Sequence, residues 1–158
     1  MKVERTETTL TFTKVFNAPK ELVFSMFQNP NVAEWWGPET YPVGTSDQDF
    51  KVGGTWHYSM VGPENHEVWG KIIYEEIDDP NRIVVRDYFS DADGNIDETL
   101  PATKSVISFI EVDDETTLTM SGEYESAEDI QKVVEMGMIE GIEDTWDQLE
   151  ALVEKSVE

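Results

Sequence analysis

Cysteine is absent from the 158 residues of this chain. The absence excludes a disulfide framework, catalysis by a thiol and a metal site with cysteine ligands. It also agrees with a reducing compartment, and we expect a cytoplasmic protein. Histidine is nearly absent as well. His57 and His66 are the only two, and their spacing does not require them to meet, so we expect neither a metal nor another cofactor.

Long hydrophobic runs are also missing from the sequence. No stretch approaches the ~20 apolar residues that a membrane-spanning helix needs. The start of the chain, MKVERTETTLTF, lacks the apolar core of a signal peptide. We therefore expect neither a membrane span nor a secretory leader.

Basic residues are scarce compared with acidic ones. Lysine and arginine together number 11 against 34 aspartates and glutamates, which gives a formal net charge of −23. Such a surface repels nucleic acid and anionic lipid, so neither is expected as a partner. The simplest interpretation of the charge is solubility in a salty habitat. Added salt should screen the self-repulsion and stabilise the fold.

The residues that are present predict one domain over residues 1–158, because a chain of this length can bury about 70% of its unfolded surface. Period-2 alternation predicts strands, and an apolar stripe bounded by Pro19 and Asn29–Pro30 predicts a short helix. A second short helix is predicted over NVAEWW. The predicted strands cover residues 8–16, 43–50, 55–62, 66–77, 82–89, 103–112 and 116–124.

The last part of the chain changes to helical periodicity. Ser126 and Asp129 have the spacing of a capping box, and apolar residues then fall on one helical face. One helix over residues 126–154 would be roughly 40 Å long, so it should cross the sheet. The predicted class is α+β: a curved antiparallel sheet of six to seven strands wrapped on a long C-terminal helix, with two short helices after the first strand. The gap between sheet and helix is the default ligand site.

A series of short motifs recurs in the order seen in a known superfamily. They are FNAPKELVF (16–24), Asn29–Pro30, WWGP (35–38), DFKVGGTW (49–56), WGK (69–71), YEEI (74–77), FSD (89–91), and Gly141 followed by TWDQL (145–149). Together they resemble the START-like (SRPBCC) superfamily, which has the helix-grip fold of the birch-pollen allergens. Within it, the chain is most similar to the family named after the activator of the 90-kDa heat-shock-protein ATPase.

The resemblance implies a helix-grip domain, and many bacterial members are small-molecule-binding proteins. Members commonly carry Gly-Trp in the last helix, where this chain has Gly141–Ile142 and a tryptophan one turn later, at Trp146. The eukaryotic activators owe much of their chaperone contact to an additional N-terminal domain. No segment here is long enough to be that domain, so chaperone activation is not expected.

The predicted function is therefore binding of a small hydrophobic or aromatic ligand in an internal cavity. Aromatic rings and thioethers accept varied apolar shapes, and both lie on strand positions that should face the helix. The candidate cavity residues are Trp35, Trp36, Phe50, Trp56, Tyr58, Met60, Ile72, Tyr74, Met138, Gly141, Ile142 and Thr145.

Two pairs of residues leave alternatives open, the adjacent tryptophans and the glycines of the last helix. Neighbouring residues on a helix point about 100° apart, so Trp35 and Trp36 should face different surroundings. One ring should pack under the first helix, and the other should either seal the edge of the sheet or lie at the cavity mouth. Gly137 and Gly141 should destabilise the interior of the predicted helix, so a compensating role is expected. They could allow either close packing of the helix on the sheet or space for a ligand.

Two other functions are retained as alternatives. One is a polyketide cyclase or aromatase-like enzyme, because a carboxylate in a dry cavity can act as a general base. Asp49, Glu76 and Asp87 lie in or beside strands, although Asp49 and Glu76 are expected to pair with Arg82, Arg86 or backbone N–H groups. The other is a minimal co-chaperone-type interaction protein. Trp69 should point away from the cavity and is a candidate homodimer contact.

Overall fold

A computed structural model describes residues 1–157 of the chain. Its centre is a fully antiparallel sheet of eight strands in the order β1-β2-β8-β7-β6-β5-β4-β3. Each strand is joined to its sheet neighbour by main-chain hydrogen bonds, so the sheet is continuous from one edge to the other. The strands are β1 (Lys2–Arg5), β2 (Thr9–Phe16), β3 (Val43–Gln48), β4 (Thr55–Val61), β5 (Glu67–Asp78), β6 (Arg82–Ser90), β7 (Thr103–Val112) and β8 (Glu115–Glu123).

The α+β class and the antiparallel sheet are confirmed, but six to seven strands is an undercount. The extra strand is β1, where Val3 pairs with Phe12 of β2. Its four residues, KVER, are mostly charged and exposed, so they carry no alternating pattern. The two short helical segments therefore follow the second strand. They are α1 (Lys20–Ser25) and a 3₁₀ turn (Asn31–Glu34), and a second 3₁₀ turn covers Pro63–Asn65.

The C-terminal helical region is interrupted, contrary to the prediction of one helix over residues 126–154. It forms α2 (Ala127–Glu135) and α3 (Met138–Ser156). Gly137 separates them with a φ of 90°, a left-handed conformation that glycine adopts without steric cost. The predicted start is confirmed, since the Ser126 hydroxyl accepts a hydrogen bond from the Asp129 N–H at 3.2 Å. Residue 137 therefore ends one helix and begins the next.

The core lies between the inner face of the sheet and α3. Alternate residues of the strands point inward, as the period-2 pattern requires. On α3, Trp146, Leu149 and Val153 are buried, and the Trp146 ring lies 6.3 Å from the rings of both Phe12 and Phe16. The long helix therefore covers the sheet by inserting an aromatic ring between two phenylalanines of β2.

The outer face of the sheet carries polar residues and a few exposed apolar ones. Trp69 lies on this face, as its strand position predicts, and its ring stacks on His57 at 4.8 Å. Val15 and Ile110 are more than half exposed there. Within residues 1–157, no helix is both long and apolar enough to cross a membrane.

Candidate functional site

A small cavity remains between the sheet and the helices. Its volume is about 20 Å³, counted as the space open to the centre of a water molecule, which is room for about one water. Its lining is apolar and aromatic apart from two polar residues on β6 and β7. The lining residues are Phe27, Val32, Trp36, Phe50, Trp56, Ile72, Tyr74, Ile83, Val85, Asp87, Ser105, Ile107 and Met120.

One wall of the cavity is a cluster of aromatic rings. The Trp36 and Trp56 rings meet edge to face, with centroids 4.9 Å apart, and Trp56 stacks on Tyr58 at 4.4 Å. The Trp56 indole N–H donates to the Ser46 hydroxyl at 2.9 Å, which fixes the ring in place. Gly70 lies beneath Tyr58, since a Cβ at that position would come within 2.5 Å of the tyrosine Oη.

The two adjacent tryptophans have different surroundings. Trp35 is 1% exposed, its indole N–H donates to the Met26 carbonyl at 2.7 Å, and its ring packs edge to face against Phe27. Trp36 is only partly buried and lines the cavity. Trp35 is thus a core residue in the segment that follows α1, and Trp36 is the ring that faces the cavity.

Helix α3 holds the loop that carries Trp36. The Gln148 side-chain amide donates to the carbonyls of Trp35 at 3.0 Å and Gly37 at 2.8 Å. The Glu39 N–H also donates to Asp144 at 3.3 Å. Sequence reasoning included Gln148 in a family motif but assigned it no role. Its role is to connect the Trp36 loop to the helix across the cavity wall.

Asp87 is the carboxyl group among the described lining residues. It lies on the inward-facing row of β6 with Ile83 and Val85, while its neighbour Arg86 points outward and pairs with Glu75 at 2.9 Å. Within residues 1–157, no hydrogen bond or ion pair to the Asp87 carboxyl is found. Burial raises the pKa of Asp87 from 3.8 to about 7.

Three tyrosines lie close enough to Asp87 for its charge to affect them. Burial, with a smaller contribution from Asp87, raises the pKa of the Tyr58 and Tyr74 hydroxyls well above their usual range. The same two causes raise the pKa of Tyr124 to about 12. These hydroxyls stay protonated at neutral pH, and that of Tyr124 donates to the Met138 sulfur at 3.3 Å.

The other two carboxylates singled out from the sequence lie at the surface. Glu76 pairs with Arg82 at 2.8 Å, as predicted. Asp49 lies 3.5 Å from Lys51, so its partner is neither of the two arginines considered for it. Both side chains are more than half exposed, and neither reaches the cavity.

The family model for activator of Hsp90 ATPase homolog 1-like protein matches residues 17–154, which include the whole cavity lining. The chain belongs to this family. Its fold is compatible with ligand binding and with co-chaperone-like roles. Comparison with curated protein sequences gave no match.

Solved structures of similar proteins have the same fold over nearly the whole chain. A protein from Arthrobacter aurescens is 27% identical with a TM-score of 0.91, covering 98% of this chain and 91% of its own. Protein Ms6760 from Mycobacterium smegmatis is 34% identical with a TM-score of 0.88, covering 96% and 95%. A protein from Staphylococcus epidermidis is 27% identical with a TM-score of 0.86, covering 100% and 96%.

Five of the predicted site residues line the cavity: Trp36, Phe50, Trp56, Ile72 and Tyr74. Six others lie in the surrounding core. Tyr58 backs the Trp56 ring, and Met60 is partly buried on the same strand. The remaining four are Trp35, Met138, which accepts a hydrogen bond from Tyr124, and Ile142 and Thr145 on α3.

Gly141 faces away from the cavity. No atom lies within 4 Å of the position that a Cβ would take, so the glycine gives neither close packing to the sheet nor space inside. It borders a surface depression of about 490 Å³, whose wall includes Glu140, Glu143, Asp144 and Asp147. The open space beside Gly141 therefore lies on the solvent side of α3.

Eight lining residues were absent from the predicted set. Asp87 was considered only as a carboxylate, although its row on β6 continues the inward alternation of Ile83 and Val85. Ser105 and Ile107 continue the same pattern on β7. The period-2 signal could have identified all five of these residues, and also Met120, which follows Leu118 on the inward row of β8. The other two, Phe27 and Val32, lie just after α1 and in the first 3₁₀ turn, where strand alternation gives no signal.

Proposed function

We propose that this protein binds a small, largely apolar or aromatic molecule in the cavity between the sheet and α3. The observation that carries the proposal is the composition of the wall: a cluster of rings around a space that side chains leave unfilled. Aromatic rings arranged edge to face accept a further ring with favourable geometry. Asp87, a partly buried carboxyl of the same lining, adds a group to which a ligand can donate a hydrogen bond.

A ligand larger than one water must displace part of the wall. Trp36 and Phe50 are both only partly buried, unlike the fully buried Trp56 behind them. Met120, also partly buried, has a flexible thioether side chain that adapts to new shapes. Entry through this side of the cavity would move these three side chains and leave the central strands in place.

The expected affinity follows from the area that a ring can bury. An aromatic ring system buries about 150–250 Å², and at about 25 cal/mol per Å² this gives about 4–6 kcal/mol before other costs. Moving the wall and ordering the ligand reduce that figure. Simple one-ring compounds should therefore bind with dissociation constants in the millimolar range, and a larger natural ligand should bind more tightly.

The test compares two variants that carry the same substitution at different places. Val85→Phe places a ring in the cavity, whereas Val15→Phe adds the same ring to the exposed outer face. Ethylbenzene binding is followed by ¹H–¹⁵N NMR titration, and circular dichroism checks that both variants fold. We expect the first variant to lose binding and the second to bind like the wild type. Equal binding by both variants would contradict the proposal.

A cyclase- or aromatase-like enzyme is a second candidate, and the position of Asp87 favours it. A carboxyl whose pKa lies near 7 can both accept and release a proton at neutral pH. The two candidates differ in what happens to a bound compound. A binding protein returns the molecule unchanged, whereas an enzyme returns a product, which NMR of the recovered compound distinguishes.

A further inference from the structure

We infer that Asp87 anchors a cationic amine, so that the cavity selects small aromatic amines over neutral or anionic molecules of the same shape. The inference rests on the proposed function, since it assumes that the cavity admits a ligand. It is supported by a polar corner in an apolar cavity, by the rings beside that corner and by the charge of the protein.

The polar corner consists of Asp87 and Ser105. They are the two lining residues that are polar without being aromatic. They lie on neighbouring strands and are diagonal to each other, two residues apart in register, because Val85 pairs with Ser105 and Asp87 pairs with Thr103. Ser105 is only 6% exposed. Neither side chain makes a hydrogen bond within residues 1–157. Their oxygens line the cavity and can accept hydrogen bonds, so this pair is suited to a ligand that supplies hydrogen-bond donors.

An ammonium group fits this corner better than a neutral donor does. It carries three donors and a charge opposite to that of the carboxylate, and charge-assisted hydrogen bonds are roughly twice as strong as neutral ones. The Trp36 and Trp56 rings line the same space, and an ammonium within about 6 Å of a ring face is further stabilised by the ring quadrupole. Rings and a carboxylate together form a site for an aromatic amine.

The charges of the protein favour the same class of ligand. No lysine, arginine or histidine is among the described lining residues, and none of residues 1–157 forms an ion pair with Asp87. The net charge of −23 raises the local concentration of cations and repels anions. Burial raises the pKa of the carboxyl, and an ammonium ligand would favour its ionised form.

The test uses three probes of nearly the same shape: ethylbenzene, benzyl alcohol and benzylamine. Their dissociation constants are measured by NMR titration at pH 8 and physiological salt for the wild type, Asp87→Asn and Asp87→Leu. Asp49→Asn is the matched control, because it removes the same charge from an exposed surface position. Two variants at position 87 are used so that the preference can still be measured if one of them does not fold.

We expect the wild type to bind benzylamine at least tenfold more tightly than ethylbenzene. Both position-87 variants should lose that preference and still bind ethylbenzene within about threefold of the wild type, while Asp49→Asn keeps the preference. Four results would overturn the inference: no preference in the wild type, a preference that survives in both variants, a preference for benzyl alcohol over benzylamine, or an equal loss in the control. If ethylbenzene binds in these cases, the proposed function still stands. If no probe binds the wild type, both fail.

Discussion

Replacing Asp87 by asparagine should make the protein more stable at neutral and alkaline pH. The side chain is partly buried without a partner, and burial raises its pKa from 3.8 to about 7. Each pH unit between the two values corresponds to about 1.4 kcal/mol, so the ionised carboxylate costs on the order of 2–4 kcal/mol. The lower end allows for water that reaches the partly exposed carboxyl. Asparagine has nearly the same shape and cannot ionise.

The gain should depend on pH in a defined direction. The folded protein keeps the Asp87 proton up to about pH 7, whereas the unfolded chain releases it near pH 3.8. Between these values the folded state binds more protons, so this residue makes the free energy of unfolding fall as the pH rises. The fall ends above the folded-state pKa. The advantage of Asp87→Asn is therefore near zero below pH 4 and complete at pH 8.

Urea denaturation at a series of pH values from 5 to 8.5 measures this effect. Only the difference between wild type and variant is compared, because the many other acidic residues titrate in both. Asp49→Asn serves as the control, since its exposed side chain should give a small difference across the series. A difference between wild type and Asp87→Asn that stays constant from pH 5 to 8.5 would show that Asp87 does not titrate with a raised pKa in the folded protein.

Three further predictions concern the helix break at Gly137, the aromatic cluster of the cavity wall and the surface charge. In thermal denaturation, Gly137→Ala should lower the free energy of unfolding by about 1–2 kcal/mol, because the φ at this position is positive. Gly141→Ala should raise it by up to about 1 kcal/mol, because this helical position has open space for a Cβ. Equal effects of the two substitutions would contradict the helix break at Gly137. Gly70→Ala should cost about 1–3 kcal/mol by displacing Tyr58, with near-ultraviolet circular dichroism reporting the displacement; an unchanged aromatic signal would count against that contact. Added salt should raise the melting temperature by screening the acidic surface, and a flat response up to molar salt would contradict it.

The sheet could be predicted from the sequence because its strands are half-buried. Alternation between apolar and polar residues identified β2 and β4–β8, and the capping box at Ser126 located the start of the helical region. The edge strand β1 could not be predicted in this way. It is mostly exposed, so its residues are not selected for alternation, and it exists because β2 offers a free edge.

The break in the last helix shows where periodicity alone fails. The apolar face continues past Gly137, because both helices pack on the same core, and the pattern therefore resembles one helix. The glycine at that position was noted, but glycine is compatible with a helix interior at a cost of about 1 kcal/mol. Only the backbone conformation of the folded chain, with a φ of 90°, distinguishes the two cases.

The cavity was predicted only in part, because its lining depends on contacts between residues that are distant in sequence. The aromatic residues were identified because of their size and strand positions, and the family motif placed both Trp35 and Trp36 near the site. Which of the two rings faces the cavity depends on the Met26 carbonyl and on Gln148, which are distant in sequence from the residues that they hold. The significance of Asp87 depends on the absence of a partner within the described residues, which is a property of packing and cannot be seen in the strand pattern.

The most direct test of the account is an NMR titration of the ¹⁵N-labelled protein with benzylamine at pH 8. If the cavity is the binding site, the Trp36 and Trp56 indole signals and the Ser105 amide should show saturable shifts, with contacts between ligand and protein protons at those residues. The amides of Val15 and Ile110 on the outer face should not move. Shifts confined to the acidic surface of α3, or none that saturate, would contradict the claim that the cavity is a binding site.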